Sequence, residues 1–172
     1  MPPSSVVEKK LSIPLSTFRF ETGTWTYASN SGVPRFRKSA AAETTTVSFE
    51  CPISNFTQQY GIRLKQIVMI IGIGTADLAA VPTITLSSSN LFKATSAAAA
   101  AVDASAITTT HDAVVTNNAN PRRITTTVST QAFENVGGLI NPVTYNVVAS
   151  FQTAATTVLD MLGAYVIFDA AE

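Results

Sequence analysis

Between Thr44 and Cys51 the chain alternates without interruption, with Thr45, Val47, Phe49 and Cys51 on one parity and Thr44, Thr46, Ser48 and Glu50 on the other. A period of two sends successive side chains to opposite faces of an extended chain, so this segment reads as a strand with one buried face. The same pattern recurs in Val143, Tyr145, Val147, Ala149 and Phe151 against Thr144, Asn146, Ser150 and Gln152, and again from Ile124 to Gln131. Three separated segments with one period predict a protein built from strands.

Extending the reading along the chain gives strands over 11–15, 18–27 (interrupted at Gly23), 44–51, 62–73, 83–86, 123–131, 143–153 and 158–169. Turn-forming residues divide them, among them Asn30-Ser31-Gly32, Gly72 with Gly74, Gly137-Gly138 and Asn141-Pro142. About eight strands at this spacing predict an all-β fold, a two-sheet β-sandwich of jelly-roll type. The predicted core holds Val47, Phe49, Leu64, Ile67, Met69, Ile71, Val128, Val147 and Phe151. Ile67 to Ile73 is apolar on both parities, as in a strand entering the interior, and is much shorter than the roughly 17–25 residues of a membrane-spanning helix.

Three segments carry less periodic information. Residues 1–8 are proline-rich at first and lack alternation, which predicts a flexible arm that gains order on a neighbouring subunit, ahead of a single sandwich domain over 9–172. Residues 94–106 are alanine-rich and suit a short helix or an edge segment, and 108–123 reads as a long polar connection. In the closing strand Leu159, Met161, Tyr165 and Ile167 share one parity and Leu162, Ala164, Val166 and Phe168 the other. Both faces are apolar. Either loops cover the outer face, or Leu159, Met161, Tyr165 and Ile167 form an interface with another subunit.

Charge changes the picture in two ways. Charged residues are 13% of the 172, about half the usual share of roughly 25%, which suits a surface that packs against other copies. Formal net charge is zero, which speaks against a dedicated nucleic-acid binder. Up to Lys65 there are eight basic and four acidic residues, and beyond it three and seven. That is chance scatter around a sandwich or a polarised subunit that meets its neighbour through complementary patches.

Candidate chemistry is thin. His111 is the sole histidine, and its neighbour Asp112 points to the opposite face of an extended chain, so no triad follows from their adjacency. Cys51 is the sole cysteine and continues the inward parity, which makes it a small buried hydrophobe and excludes an internal disulfide. No metal-ligand spacing occurs, so neither a catalytic residue, a cofactor nor a metal is expected. Gly72-Ile73-Gly74 opens like a dinucleotide loop, yet Asp77 stands in the place of the third glycine. Arg35, Phe36, Arg37 and Lys38 suit either a nucleic-acid track or an edge strand guarded by charge. Asn55-Phe56-Thr57 matches a glycosylation acceptor, but the N-terminus lacks the apolar segment of an export signal.

The early Lys9-Lys10-Leu11-Ser12-Ile13-Pro14-Leu15 segment, the Thr/Ser/Ala-rich strands and the closing Gly163-Ala164-Tyr165-Val166-Ile167-Phe168 resemble, in layout, small jelly-roll structural proteins of bacteriophages, of the capsid and capsid-decoration types. The alanine-rich insertion departs from the decoration type. That resemblance implies a shell subunit in a virion, made in a host cytoplasm, whose partners are copies of itself (a trimer or larger) and other capsid proteins. It implies no enzyme activity, cofactor, small-molecule substrate, membrane span or sequence-specific nucleic acid. The alternative is a carbohydrate-binding β-sandwich module, with Trp25, Tyr27 and Phe36 as the aromatic surface that would stack on sugar rings.

Overall fold

A computed structural model describes residues 5–51, 62–90, 103–118, 120–129 and 143–171. The strands, in chain order, are β1 (Val6–Ile13), β2 (Arg19–Phe20), β3 (Trp25–Asn30), β4 (Val33–Lys38), β5 (Glu43–Cys51), β6 (Ile62–Gly74), β7 (Thr83–Asn90), β8 (Asp103–Ile107), β9 (Thr109–His111), β10 (Arg122–Val128), β11 (Val143–Thr153) and β12 (Val158–Ala171). They pair antiparallel in two sheets. One runs β3-β4-β12-β6-β10-β9, with β1 also on β12, and the other runs β2-β5-β11-β7-β8. The expected all-β jelly-roll sandwich is what the chain adopts, with short strands added to the eight read from the sequence.

The alternating parity sorts the core. From the smaller sheet Thr45, Val47, Phe49, Cys51, Tyr145, Val147, Ala149 and Phe151 point inward, and from the larger one Leu64, Ile67, Met69, Ile71, Ile124, Val128, Val166 and Phe168 do. All nine expected core residues are buried. Cys51 lies among them, and burial pushes its thiol up to about 12.

The segment read as one strand over 18–27 is two, because the chain changes sheets at Gly23. There φ is +85°, and a Cβ would lie 2.7 Å from the Thr45 hydroxyl, so both the backbone and the space require glycine. The Thr45 hydroxyl donates to the carbonyl of Thr22 (2.6 Å) and accepts from Trp25 Nε1 (2.8 Å), which fixes the corner.

The N-terminal arm departs from expectation. Val6, Val7 and Glu8 belong to β1 and pair with Ala171, Ala170 and Asp169 of β12, so the described part of the arm completes its own sheet. β12 has room for it because β4 covers only Leu159 to Met161 along that side. The alanine-rich stretch is a strand over 103–107, and its earlier part lies outside the described residues, as does Asn55-Phe56-Thr57. Gly72 and Gly74 sit within β6, in no loop.

A β-bulge corrects the parity of the closing strand. Met161 pairs with Ile71 and Gly163 with Ile70, so Leu162 is an extra residue that turns the strand over. Leu159 and Met161 therefore point into the core and are fully buried, whereas Tyr165 and Ile167 lie half-buried on the outer face. The four cannot form one interface. A second register shift, near Lys65 and Gln66, lets Leu64 and Ile67 both face inward.

Candidate functional site

The outer face of the larger sheet carries its polar chemistry at two ends. At one end Asp169 accepts from Arg63 Nη2 at 2.7 Å, and Lys65 bridges Asp169 and Glu8. The hydrogen bond to Glu8, with lesser help from the charges of both acids, raises the Lys65 ammonium above its ordinary value. Between the ends Lys10 Nζ sits 3.6 Å from the centre of the Tyr165 ring, a cation–π contact.

The other end is a cleft of about 500 Å³. Register builds it: Asp160 on β12 faces Arg37 on β4 across one strand gap and Gly72 on β6 across the other. Arg35, two residues before Arg37, shares its face. The hairpin joining β3 to β4 forms one lip, where Ser31 (φ +51°) and Gly32 (φ +79°) adopt the tight reversal that two positive φ values allow. The opposite lip is the loop before β10. It is tied to the end of β6 by the Asn118 amide, which donates to the Ile73 carbonyl at 3.0 Å, and by the Asn117 amide, which donates to Asp77 Oδ1 at 2.7 Å. A second cavity, of about 290 Å³, shares Ile73, Gly74 and Asn118 with the cleft. A Cβ at Gly72 would stand 3.3 Å from that of Asp160, so the glycine keeps the cleft floor low.

Electrostatics in the cleft centre on Asp160. Its Oδ1 accepts from Arg37 Nε at 2.7 Å, and its Oδ2 accepts from Arg37 Nη2 at 2.8 Å and Arg35 Nη1 at 3.0 Å. The bidentate pair raises the Arg37 guanidinium further above its ordinary value, against a smaller opposing effect of burial. Arg35 Nε is buried and has no hydrogen-bond partner among the described residues. Asn30, Ser31, Asn118 and Asn120 complete the polar lining, while Val33, Ile73, Pro121 and Leu162 give apolar wall.

The lining offers hydrogen-bond donors and acceptors around one carboxylate. Among the described residues Asp160 is the one acid that lines the cleft, and two guanidiniums hold it. Among the described residues no three His, Cys, Asp or Glu side chains group to hold a metal. His111 lies on β9 with its Nδ1 3.3 Å from the Asp112 carbonyl oxygen, apart from the cleft lining.

The aromatic trio also takes a different place from the one expected. Tyr27 pairs with Phe36 across β3 and β4, and Trp25, opposite Lys38, lies on the same face of the hairpin, where Phe20 of the other sheet stands at centroid distances of 4.7 Å to Trp25 and 4.4 Å to Phe36. They close the edge of the sandwich. Trp25 spends its N–H on Thr22 and Thr45, and Tyr27 alone stands out, 66% exposed, edge-on to Phe36. Trp25, Tyr27 and Phe36 therefore form no flat row facing solvent.

The basic and aromatic run Arg35 to Lys38 divides by parity. Arg35 and Arg37 enter the cleft, while Lys38 turns inward and is buried, with Nζ 3.0 Å from Glu43 and donating to the carbonyls of Ser39 and Ala41. β4 is flanked by β3 and β12, so it is no edge strand. The opposite charges of the two halves of the chain meet inside the molecule, as Arg35 and Arg37 with Asp160 and as Arg63 and Lys65 with Asp169. The sequence marks Gly72 as a turn residue and not as a cleft floor, and it does not single out Asp160, Asn118 or Asn120. The available signal was an acid set between Leu159 and Met161 in an apolar strand, a costly position without a partner.

No protein-family model matches the sequence, and no curated protein matches it. Solved structures similar in architecture include the CBM22-1 xylan-binding domain of Paenibacillus barcinonensis Xyn10C, with TM-score 0.46, 7% identity, and 92% of this chain and 88% of that one covered. The family 29 carbohydrate-binding module CBM29_1 of Piromyces equi follows at TM-score 0.41 and 11% identity, covering 96% and 89%. The enzymatically active domain of bacteriophage CBA120 tailspike protein 4 scores 0.34 at 12% identity, covering 94% of this chain and 19% of that one.

Proposed function

We propose that this protein is a non-catalytic carbohydrate-binding β-sandwich, and that it takes a saccharide in the cleft between the β3–β4 hairpin and the loop before β10. The observation that carries the reading is the lining itself. Two guanidiniums, one carboxylate and three asparagine amides stand around a cleft of about 500 Å³, with small apolar walls and a glycine floor. Planar polar groups of this kind match the directional hydroxyls of a sugar, and a few placed polar groups in a partly apolar concavity are the usual means of fixing a ligand. Binding here relies on hydrogen bonds, since the aromatic trio faces the sandwich edge.

Affinity electrophoresis and calorimetry against a panel of soluble polysaccharides test the reading. At least one glycan should retard the native protein; Arg37→Gln should weaken binding roughly tenfold or more, the scale of losing a hydrogen bond from a charged group, and Tyr27→Ala should leave it unchanged. Binding abolished by Tyr27→Ala and indifferent to Arg37→Gln would move the site to the hairpin's other face.

A shell subunit is the second reading. The half-buried Tyr165 and Ile167 on the outer face and the sparse charge favour it. Against it, Val6, Val7 and Glu8 of the arm pair with β12 of the same chain, and Arg35, Arg37, Arg63 and Lys65 pair with Asp160 and Asp169. A strictly monomeric protein at high concentration, found apart from any particle, would set it aside.

A further inference from the structure

We infer that the cleft selects acidic saccharides, and that a sugar carboxylate is read by the guanidiniums of Arg35 and Arg37. This deepens the carbohydrate-binding reading and rests on it.

The charge balance of the lining comes first. Arg35 and Arg37 face one acid, Asp160, and the other polar groups, Asn30, Ser31, Asn118 and Asn120, are neutral. One positive charge is left over at the cleft.

Hydrogen-bonding capacity points the same way. Each guanidinium has five N–H donors, and a carboxylate offers about four acceptor positions. Asp160 accepts three bonds, two from Arg37 and one from Arg35. Its oxygens are nearly saturated, so it has little left to offer a sugar hydroxyl. More of the guanidinium donors remain than Asp160 can take. Asn118 Oδ1 already accepts one bond, from the Asn120 backbone amide at 3.0 Å, while its side-chain nitrogen carries two donors. The cleft therefore offers donors in excess of acceptors. A neutral sugar hydroxyl both donates and accepts, whereas a carboxylate only accepts, and it does so in the planar, two-oxygen geometry that guanidinium matches.

Position supports the assignment. Asp160 is mostly shielded, with a side-chain exposure of 13%, while Arg37 remains 40% exposed on the cleft side. Asp160 thus holds Arg37 in place by its Nε and Nη2 edge and leaves its Nη1 for a ligand. Gly72 opposite Asp160 keeps side-chain bulk away from that space.

The test compares one oligosaccharide with itself. Oligogalacturonate and glucuronoxylan fragments are titrated into the native protein by calorimetry, alongside the same fragments after reduction of their carboxylates to alcohols, at low and at high salt. The inference expects at least one acidic probe to bind roughly tenfold or more tightly than its reduced form, the scale of a charged hydrogen bond, with the preference shrinking as salt rises. Arg35→Gln should lower the ratio of acidic to reduced binding. The native protein alone decides the main point, so a variant that fails to fold costs nothing. Equal binding of acidic and reduced forms would overturn the acidic preference and leave the carbohydrate reading standing. Failure of these probes and of the wider neutral panel would remove both. Competition by acetate or sulfate as effective as by the acidic sugar would reduce the site to a general anion site and also overturn the inference.

Discussion

Substituting Gly163 by alanine should destabilise the protein through the backbone alone. Gly163 lies in the bulge of β12 with φ at +151°, and a Cβ built there meets no heavy atom within 4 Å. Steric contact therefore adds nothing, and the cost is that of holding an L-residue where only glycine is at ease, about 1–3 kcal/mol. For a chain of this length each kcal/mol moves the melting temperature by about 2–4 °C. Gly163→Ala should accordingly melt several degrees lower, with an unchanged urea m-value, because the surface exposed on unfolding is the same. The bulge also decides which residues are core. Deleting Leu162 would remove the extra residue and place Met161 and Gly163 on consecutive partners of β6, which keeps Ala164, Val166 and Phe168 inward on an unbroken alternation, so that variant should still fold. A Gly163→Ala protein that melts with the wild type, or a Leu162 deletion that turns Tyr165 and Ile167 inward or fails to fold, would refute the account.

Asp160→Ala should cost about 1–3 kcal/mol in urea denaturation, below the usual cost of breaking a buried pair because Arg37 is partly exposed. Lys38→Met should cost a similar amount, since the Ser39 carbonyl loses its side-chain donor and Glu43 its cation, while the Ala41 carbonyl keeps the Thr153 hydroxyl. Cys51 should resist alkylation at pH 8 until the protein unfolds. Because its folded pKa of about 12 lies above its ordinary value of 9.0, the unfolded chain gives up that proton first, so this group's contribution is whole below pH 9 and is lost as pH rises from there towards 12, measurable as a fall in urea midpoint. Removing residues 1–8 should lower the melting temperature of the single chain, because Val6, Val7 and Glu8 are paired to β12; a deletion that changes only assembly would contradict this.

The parts of the fold legible in the sequence are those where one face is wet. Thr45, Val47, Phe49 and Cys51 alternate with polar neighbours, and all four point inward. In β12 both parities are apolar, so nothing in the pattern marks the extra residue at Leu162, and the four residues from Leu159 to Ile167 were assigned to one face when they occupy two. Trp25 and Phe36 misled for a related reason. They lie in a polar, basic stretch that reads as surface, yet Phe20 from the other sheet covers them, a pairing that no local pattern encodes.

The cleft was hidden because it is assembled from four separate places: the β3–β4 hairpin, the end of β6, the loop before β10 and the start of β12. Each contributes two to five residues that look ordinary alone. Asp160 could have been found, since an acid between Leu159 and Met161 must have a partner to be tolerated in a buried strand. Once that partner is sought among the unmatched bases of the N-terminal half, the alternation of Arg35 and Arg37 on one parity of β4 offers a pair of cations at the spacing one carboxylate can hold. The charge asymmetry of the chain then ceases to describe how subunits meet. It records that strands distant in sequence lie side by side, and at the cleft end it leaves one guanidinium more than the fold requires.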